Sequence, residues 1–297
     1  MTKETCDLCQ SGRFRRLPYY YQFQGHKVYG AKCLGCGLVT VSPMPGKSEL
    51  ARLYDGEYFK GDYHCGHREG NYEEESLTRE HGRVLDDFLR LVPAGRMLEV
   101  GAAGGKFLVS ARGAGYDVTG VEVSPEACAM ADRLGLRLFC GELEEAGFGD
   151  GSFDAVYMGD VLEHLPRPFS SIKEVYRITA PGGVLGISCP TNIGLLSSRL
   201  GLLAYSLLGR ERAAPIPPYH IYEFTPAAIK RLLRGAGFEV ELVRVGIIPP
   251  WRISLRGGVT ERLAKAVLQW PNYLITRLTG LMGDRVTIFA RKGRGLL

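Results

Sequence analysis

The chain has 297 residues, 45% of them hydrophobic and 23% charged, with a formal net charge of +5. This is ordinary globular composition for one large α/β domain plus an appendage, and it excludes wholesale disorder, collagen and coiled coil. The mild positive balance permits an anionic partner without demanding one.

The first ten residues, MTKETCDLCQ, hold no apolar run of the secretory-signal kind. No stretch of about 18 apolar residues is free of charge, because Arg199 interrupts the closest candidate, Ile193 to Gly209. A cytoplasmic protein is expected. Eight cysteines in that compartment read as metal ligands or buried thiols rather than disulfides.

Four of the eight form two C-x-x-C pairs, Cys6 with Cys9 and Cys33 with Cys36. Each tight turn can offer two thiolates to one ion, and Gly35 and Gly37 give the second turn the backbone freedom it needs. Strand-like runs around Tyr19, Tyr20, Tyr21, Phe23, Val28 and Tyr29 lie between the pairs. The pattern predicts a zinc ribbon over residues 1–61, with Zn²⁺ in a structural role because four thiolates leave no open position. Arg13, Arg15 and Arg16 admit nucleic-acid contact through this ribbon; the commoner meaning of such a cluster is a solvated face. Cys65, between His64 and His67, reads as a loop cysteine with two chance histidines. Cys128, Cys140 and Cys189 fall in apolar patterns and read as inert core thiols.

A linker helix is expected from Glu74 to Leu91, within residues 62–92. From residue 93 onward strands alternate with helices. Strands are expected at Met97–Val100, Val118–Val123, Leu136–Cys140, Phe153–Met158, Val184–Cys189, Glu239–Val245 and Val286–Arg291. Helices are expected from Lys106 to Arg112 and from Pro226 to Ala236. Together they predict an α/β fold with a seven-stranded, doubly wound, Rossmann-like sheet, its last strand antiparallel, whose ligand lies at the carboxyl ends of the central strands.

The first strand ends in Gly101-Ala102-Ala103-Gly104-Gly105. Small residues let backbone approach a ligand, and the following helix turns free N–H groups toward it. Glu122 ends the second strand, where a carboxylate can take two ribose hydroxyls. A dinucleotide fingerprint would want Gly at 103 and a small residue at 106, where Ala103 and Lys106 stand. The turn suits a nucleoside bearing an amino acid better than a pyrophosphate.

These residues resemble the class I S-adenosylmethionine-dependent methyltransferases. Leu98-Glu99-Val100-Gly101-Ala102-Ala103-Gly104-Gly105 looks like the first motif and Gly120-Val121-Glu122-Val123-Ser124 like the second. Cys140-Gly141-Glu142-Leu143 looks like the third, with Glu142 where Asp is usual. Ser152 to Val156, with Asp160-Val161-Leu162-Glu163-His164-Leu165, looks like the fourth. Ala180-Pro181-Gly182-Gly183, then His220 with Phe224-Thr225-Pro226, then Gly235-Ala236-Gly237-Phe238, resemble the rest. Cys36-Gly37-Leu38, Pro43-Met44-Pro45 and Leu53 to Phe59 look like the zinc-binding leader of bacterial small-molecule members, sugar C-methyltransferases included.

The resemblance implies S-adenosylmethionine as cofactor. It implies Glu99, Gly101, Ala102, Ala103 and Gly105 at the methionine end, Glu122 and Val123 at ribose and adenine, Glu142 and Leu143 at the adenine edge, and Asp160 and Val161 on the floor. A charged Glu99 in a central strand needs a partner, which a ligand ammonium would supply. Glu122 could alternatively cap a helix.

Methyl transfer from a sulfonium depends mostly on alignment, so the protein needs little beyond a base for the acceptor. His164, Glu163 and His220 are the candidates. His164 could equally hold the loop before Pro166. His220 follows the rigid run from Pro215 to Tyr219.

Two insertions, 193–219 and 250–282 within the 93–297 domain, are expected to shape the acceptor pocket. They read either as helices packed on the domain or as an apolar lid or interfacial pair, with Arg199, Arg210, Arg212, Arg262, Lys265 and Arg277 outside. The Asn/Asp-Pro-Pro-Tyr/Phe pattern of base-amine methyltransferases is missing after the fourth strand, which argues against adenine or cytosine amines. The resemblance implies instead a bacterial small molecule methylated on O or C: a sugar, a lipid-linked intermediate or a secondary metabolite. An RNA methyltransferase and a non-catalytic cofactor-binding protein are the alternatives.

Overall fold

The computed structural model describes residues 5–46, 48–50, 72–214, 218–252 and 259–294. Three strands come first: β1 (Phe14–Phe23), β2 (His26–Cys33) and β3 (Val39–Ser42). Helix α1 (Tyr72–Leu91) leads into β4 (Arg96–Val100), α2 (Lys106–Gly113), β5 (Asp117–Glu122), α3 (Pro125–Asp132) and β6 (Leu138–Cys140). Next come β7 (Phe153–Gly159), α4 (Pro168–Ile178), β8 (Thr179–Pro190) and α5 (Leu196–Leu207). The chain closes through β9 (Arg212–Ala213), β10 (Tyr222–Glu223), α6 (Pro226–Ala236), β11 (Phe238–Gly246), α7 (Val259–Thr279) and β12 (Arg285–Lys292).

Seven strands form one sheet in the order β11-β12-β8-β7-β4-β5-β6. The pairs from β8 to β6 are parallel, and β12 runs antiparallel to both β8 and β11. The central strand reads Met97-Leu98-Glu99-Val100, every residue buried, as a strand covered on both faces must be. The expected α/β sheet is the one observed.

Local signals fix the helices. Thr225 accepts the N–H of Ala228, Pro226 opens the first turn of α6, and Gly237 closes it at φ +104°. Ala228, Ile229, Leu232 and Leu233 then form one buried stripe. Each fully buried Leu or Ile there stabilises the fold by about 1.5–3 kcal/mol. In α1, Phe88 packs edge-on against Phe289 and Tyr157. That contact docks the linker helix on the sheet and brings Glu80 and His81 to the cleft.

The N-terminal sheet corrects the sequence reading in one respect. It has five strands, ordered β10-β3-β2-β1-β9, and its two edge strands come from the segment between α5 and α6. Two-residue strands carry no periodicity, so the sequence gives no sign of them. The cysteine-bearing segment is thereby joined to the segment that carries His220. Its core is continuous with that of the large sheet, through residues such as Tyr21, Val28, Ile221 and Phe224.

A second correction concerns cysteine. Cys128 and Cys140 form a disulfide. Helix α3 packs against β6 and sets the two Cα atoms 6.2 Å apart, within bonding reach. Neither is a core thiol, since Cys140 is exposed and Cys128 only half-buried. Cys189 is fully buried, as expected.

Cys65 with its flanking histidines, the end of the expected ribbon after residue 50, the first part of the linker, the Pro215–Pro217 run and the side chains of Arg262 and Lys265 lie outside the described residues. Among the described residues, no helix is long and apolar enough to cross a membrane.

Candidate functional site

A cleft of about 1,530 Å³ opens at the carboxyl ends of β4, β5 and β7. Ligand clefts commonly hold about 300–1,000 Å³, so this one has room for two ligands. Its two halves differ in chemistry.

One half is the bend after β4. Gly101 has φ +71°, and a Cβ there would lie 2.3 Å from the Val161 side chain. Only glycine fits the position. The N–H groups of Gly101 and Ala102 donate to the Val121 carbonyl, which ties the bend to β5. Glu122 accepts from the N–H of Ala103 at 2.8 Å and from the N–H of Ser124 at 2.9 Å. It therefore braces the bend and the start of α3, and its remaining lone pairs border the cleft. The contact at the start of α3 is of the kind the helix-capping reading of Glu122 expects.

Glu99 is buried, and its Oε2 has no hydrogen-bond partner. Burial, and the nearby charge of Glu122, push its carboxyl well above the usual range. A buried carboxylate without a partner is costly, and a cationic ligand group in the cleft relieves that cost. The donor set thus fits the ammonium end of an aminoacyl nucleoside.

Ala102, Ala103, Val123, Leu143 and Val161 line the same half, Val123 being exposed at its edge. Glu142 also borders the cleft, while its backbone N–H takes a hydrogen bond to Glu145. Gly105 stands before α2, whose first residue, Lys106, is exposed at the rim rather than packed between helix and strand.

The other half gathers His164, His220 and Glu163. The His164 and His220 rings stand edge to face, 4.9 Å between centroids. Glu163 Oε1 lies 3.8 Å from His164 Nε2 and 4.0 Å from His220 Nε2, and it has no hydrogen-bond partner. The three residues could share one cation, since their ligand atoms all lie within 4.8 Å. Burial and the charge of Asp160 push the Glu163 carboxyl up to about 7. Burial pushes both imidazoles below their usual range. His164 Nδ1 lies 2.7 Å from the Tyr219 carbonyl, which accepts only, so Nδ1 carries the proton and Nε2 is the basic nitrogen.

Asp160 sits between the halves at φ +54°, a strained position for a non-glycine residue. Arg285 holds it, donating to both carboxylate oxygens at 2.7 and 3.0 Å, and also reaches Glu80. Burial works to raise the Asp160 carboxyl, but Arg285 outweighs it and the group stays below its usual range.

Sequence reasoning missed Arg285 and Glu80, which lie 125 and 80 positions from Asp160 along the chain. It also missed Cys189, whose thiol lies 3.6 Å from Glu163 Oε2, and Pro45 and Leu50, which wall the cleft from the N-terminal segment. Apart from Pro45, in the Pro43-Met44-Pro45 run, none belongs to a local motif.

Cys6, Cys9, Cys33 and Cys36 converge as the spacing predicts. Cys6 and Cys36 have Sγ atoms 3.5 Å apart, as do Cys9 and Cys33, and all four lie within 4.8 Å. Four sulfurs bound tetrahedrally at ~2.3 Å would sit ~3.8 Å apart, so the set fits Zn²⁺. A Cβ on Gly35 would come within 3.0 Å of Cys9 Sγ, which explains glycine in that knuckle. Arg16 is engaged within the fold, lying over the Tyr29 ring and pairing with Glu211.

Comparison with known proteins agrees with this geometry. The family model described as a methyltransferase domain matches residues 73–243, a span that does not reach the four cysteines. A ubiquinone biosynthesis O-methyltransferase of Xanthomonas axonopodis pv. citri (strain 306) is 32% identical over 180 residues, covering 56% of this chain and 72% of that protein. A 2-methyl-6-phytyl-1,4-hydroquinone methyltransferase of Synechocystis sp. (strain ATCC 27184 / PCC 6803 / Kazusa) is 27% identical over 178 residues, covering 52% and 55% respectively. The crystal structure of a SAM-dependent methyltransferase from Archaeoglobus fulgidus shares the fold, with a TM-score of 0.50 at 20% identity over 71% of this chain and 94% of that one. The cleft, its carboxylates and these matches lead to one conclusion: the chain belongs to the methyltransferase-domain family and is an S-adenosylmethionine-dependent methyltransferase.

Proposed function

We propose that the enzyme methylates a small-molecule acceptor on oxygen or carbon, with a hydroxyl oxygen as the better-supported site. The observation that carries this is the tautomer of His164: its Nδ1–H is held by the Tyr219 carbonyl, and its basic Nε2 stands beside Glu163 and His220 across the cleft from Glu99 and Glu122. The names of the relatives support oxygen and an apolar acceptor, one being an O-methyltransferase and another acting on a phytyl-bearing hydroquinone.

S-adenosylmethionine, when bound, supplies a methyl group on a positively charged sulfur. Glu99 would bind its ammonium, Glu122 its ribose hydroxyls, and Val123, Glu142 and Leu143 its adenine, with Gly101, Ala102, Ala103, Gly105, Asp160 and Val161 shaping the walls. His164 Nε2 takes the proton of the acceptor hydroxyl, leaving the oxygen able to attack. Glu163, beside both imidazoles, stabilises the imidazolium that forms. His220, edge to face against His164, orients the acceptor from the same wall. General-base help of this kind contributes about 10²–10⁴-fold, and alignment supplies much of the rest.

The four N-terminal cysteines would hold a structural Zn²⁺. That ion fixes the sheet whose strand β3 pairs with β10, two residues past His220. The leader's likeness to that of sugar methyltransferases keeps a sugar-bearing or lipid-linked acceptor within this reading. The test is incubation of the purified protein with trideuteromethyl-labelled donor and a panel of hydroxylated acceptors, hydroquinones and sugars included. A labelled methyl ether supports the proposal. Label found only on amines or on RNA would refute it.

A further inference from the structure

Helices α5 and α7 face the wrong way for a protein surrounded only by water. In α7 the polar residues Gln269, Asn272 and Thr276 are buried, with Asn272 wholly so. They anchor the helix: the Leu196 N–H donates to Asn272 Oδ1, Asn272 Nδ2 donates to Ser197 Oγ, and Gln269 Nε2 donates to the Ile248 carbonyl. The opposite face carries Leu263, Val267, Trp270, Leu274 and Leu278, all exposed, Leu278 by 84%. The spacing of 4, 3, 4 and 4 is that of a single helical stripe. In α5, Leu200, Leu203 and Leu207 make a second exposed stripe, and the helix buries none of its residues. The two helices pack side by side.

Large exposed apolar faces mark interaction sites. The chemistry around this one selects the partner. Arg199, Arg210 and Arg277 are exposed beside it. Residues 193–210 and 262–283 hold no Asp or Glu. Trp270, within the stripe, and Tyr273 cluster with Trp251, at ring centroids 5.9 and 5.3 Å from it. Leucines and an indole on one face with arginines alongside form the pattern of a helix lying in a membrane interface. A second copy on the same face would set arginine against arginine, with no Asp or Glu within residues 193–210 or 262–283 to offset it, Glu211 and Glu261 standing just outside those stretches.

We infer that α5 and α7 form a docking surface for an anionic lipid bilayer, entered by the apolar stripes and held by the flanking arginines. The chain passes from the cleft wall at Pro190 and Asn192 directly into α5 at Leu196, so the docked enzyme holds its cleft next to the lipid. The inference stands apart from the acceptor assignment, because it rests on the surface alone.

The protein contains two tryptophans, Trp251 and Trp270, both in this patch, so intrinsic fluorescence reports on it directly. Vesicles of phosphatidylcholine containing phosphatidylglycerol should shift the emission to the blue and carry the protein down on sedimentation. Phosphatidylcholine alone, or high salt, should do so much less. The double variant Leu207→Glu, Leu278→Glu changes only exposed positions and should keep its melting temperature while losing vesicle affinity by about tenfold or more. Equal binding to both vesicle types, no binding to either, or full binding by the folded variant would overturn the inference. So would a dimer in light scattering that the same variant converts to monomer, since the face would then join two copies. An acidic protein that binds the patch in place of lipid would also overturn it.

Discussion

The Nδ1 atom of His164 lies 2.7 Å from the carbonyl oxygen of Tyr219. This single contact decides which nitrogen is basic. It also links the turn after β7 to the segment carrying His220, because the Ile221 N–H donates to the Glu163 carbonyl. A backbone carbonyl thus fixes the tautomer of the base. His164→Ala should lower kcat by about 10²–10⁴-fold while S-adenosylmethionine affinity, read by isothermal titration, changes little. Since burial depresses the imidazole, its base form should persist below the ordinary value of 6.5, and the acid limb of kcat/KM should lie below that pH.

Glu99 makes a two-sided prediction. Glu99→Gln removes a buried carboxyl whose ionisation has no partner in the protein, so above the ordinary carboxylate range of pH the unliganded variant should melt higher than the wild type. The same change removes the counter-charge for the donor's ammonium, so S-adenosylmethionine should bind at least about tenfold more weakly, or about 1.4 kcal/mol. Calorimetry of both quantities separates these effects.

Glu163 predicts a pH dependence of stability. Its carboxyl titrates near 7 in the folded protein against 4.5 as the ordinary value. Folding therefore takes up a proton between those two values, and stability falls as pH rises from about 4.5 through 7. Glu163→Gln removes this loss, so its melting temperature should exceed that of the wild type at pH 8 and match it more closely at pH 5. Turnover should fall, since the imidazolium loses its neighbouring charge.

The thiolate cluster predicts one zinc per chain by elemental analysis. Cys36→Ser should lose the metal and lower the melting temperature. Because β3 of that sheet pairs with β10, beside His220, the variant should also lose turnover while still binding the donor.

What the sequence discloses here follows how far its signals reach. The strand that ends at Gly101, the acid at Glu122 and the paired cysteines are local, and each carries its chemistry within a few residues. The Arg285–Asp160–Glu80 contacts join three distant segments, so no window of sequence contains them. Cys128 and Cys140 lie on a helix and at a strand end, and the Cα separation that lets them bond depends on how α3 packs. In α7 the stripe at Leu263, Val267, Trp270, Leu274 and Leu278 is plain from its period, but period alone does not say which face turns inward. Burial of Asn272 settles that, because its amide is satisfied by Ser197 and Leu196 of a helix far away in sequence.

Every residue role in the cleft turns on where the donor sits. A crystal structure with S-adenosylmethionine bound tests this directly. The ammonium should meet Glu99, the ribose hydroxyls should meet Glu122, and the methyl group should point toward His164 and His220. A donor lying elsewhere, a crevice beside Gly101 closed to it, or a methyl group turned away from the two histidines would contradict the account.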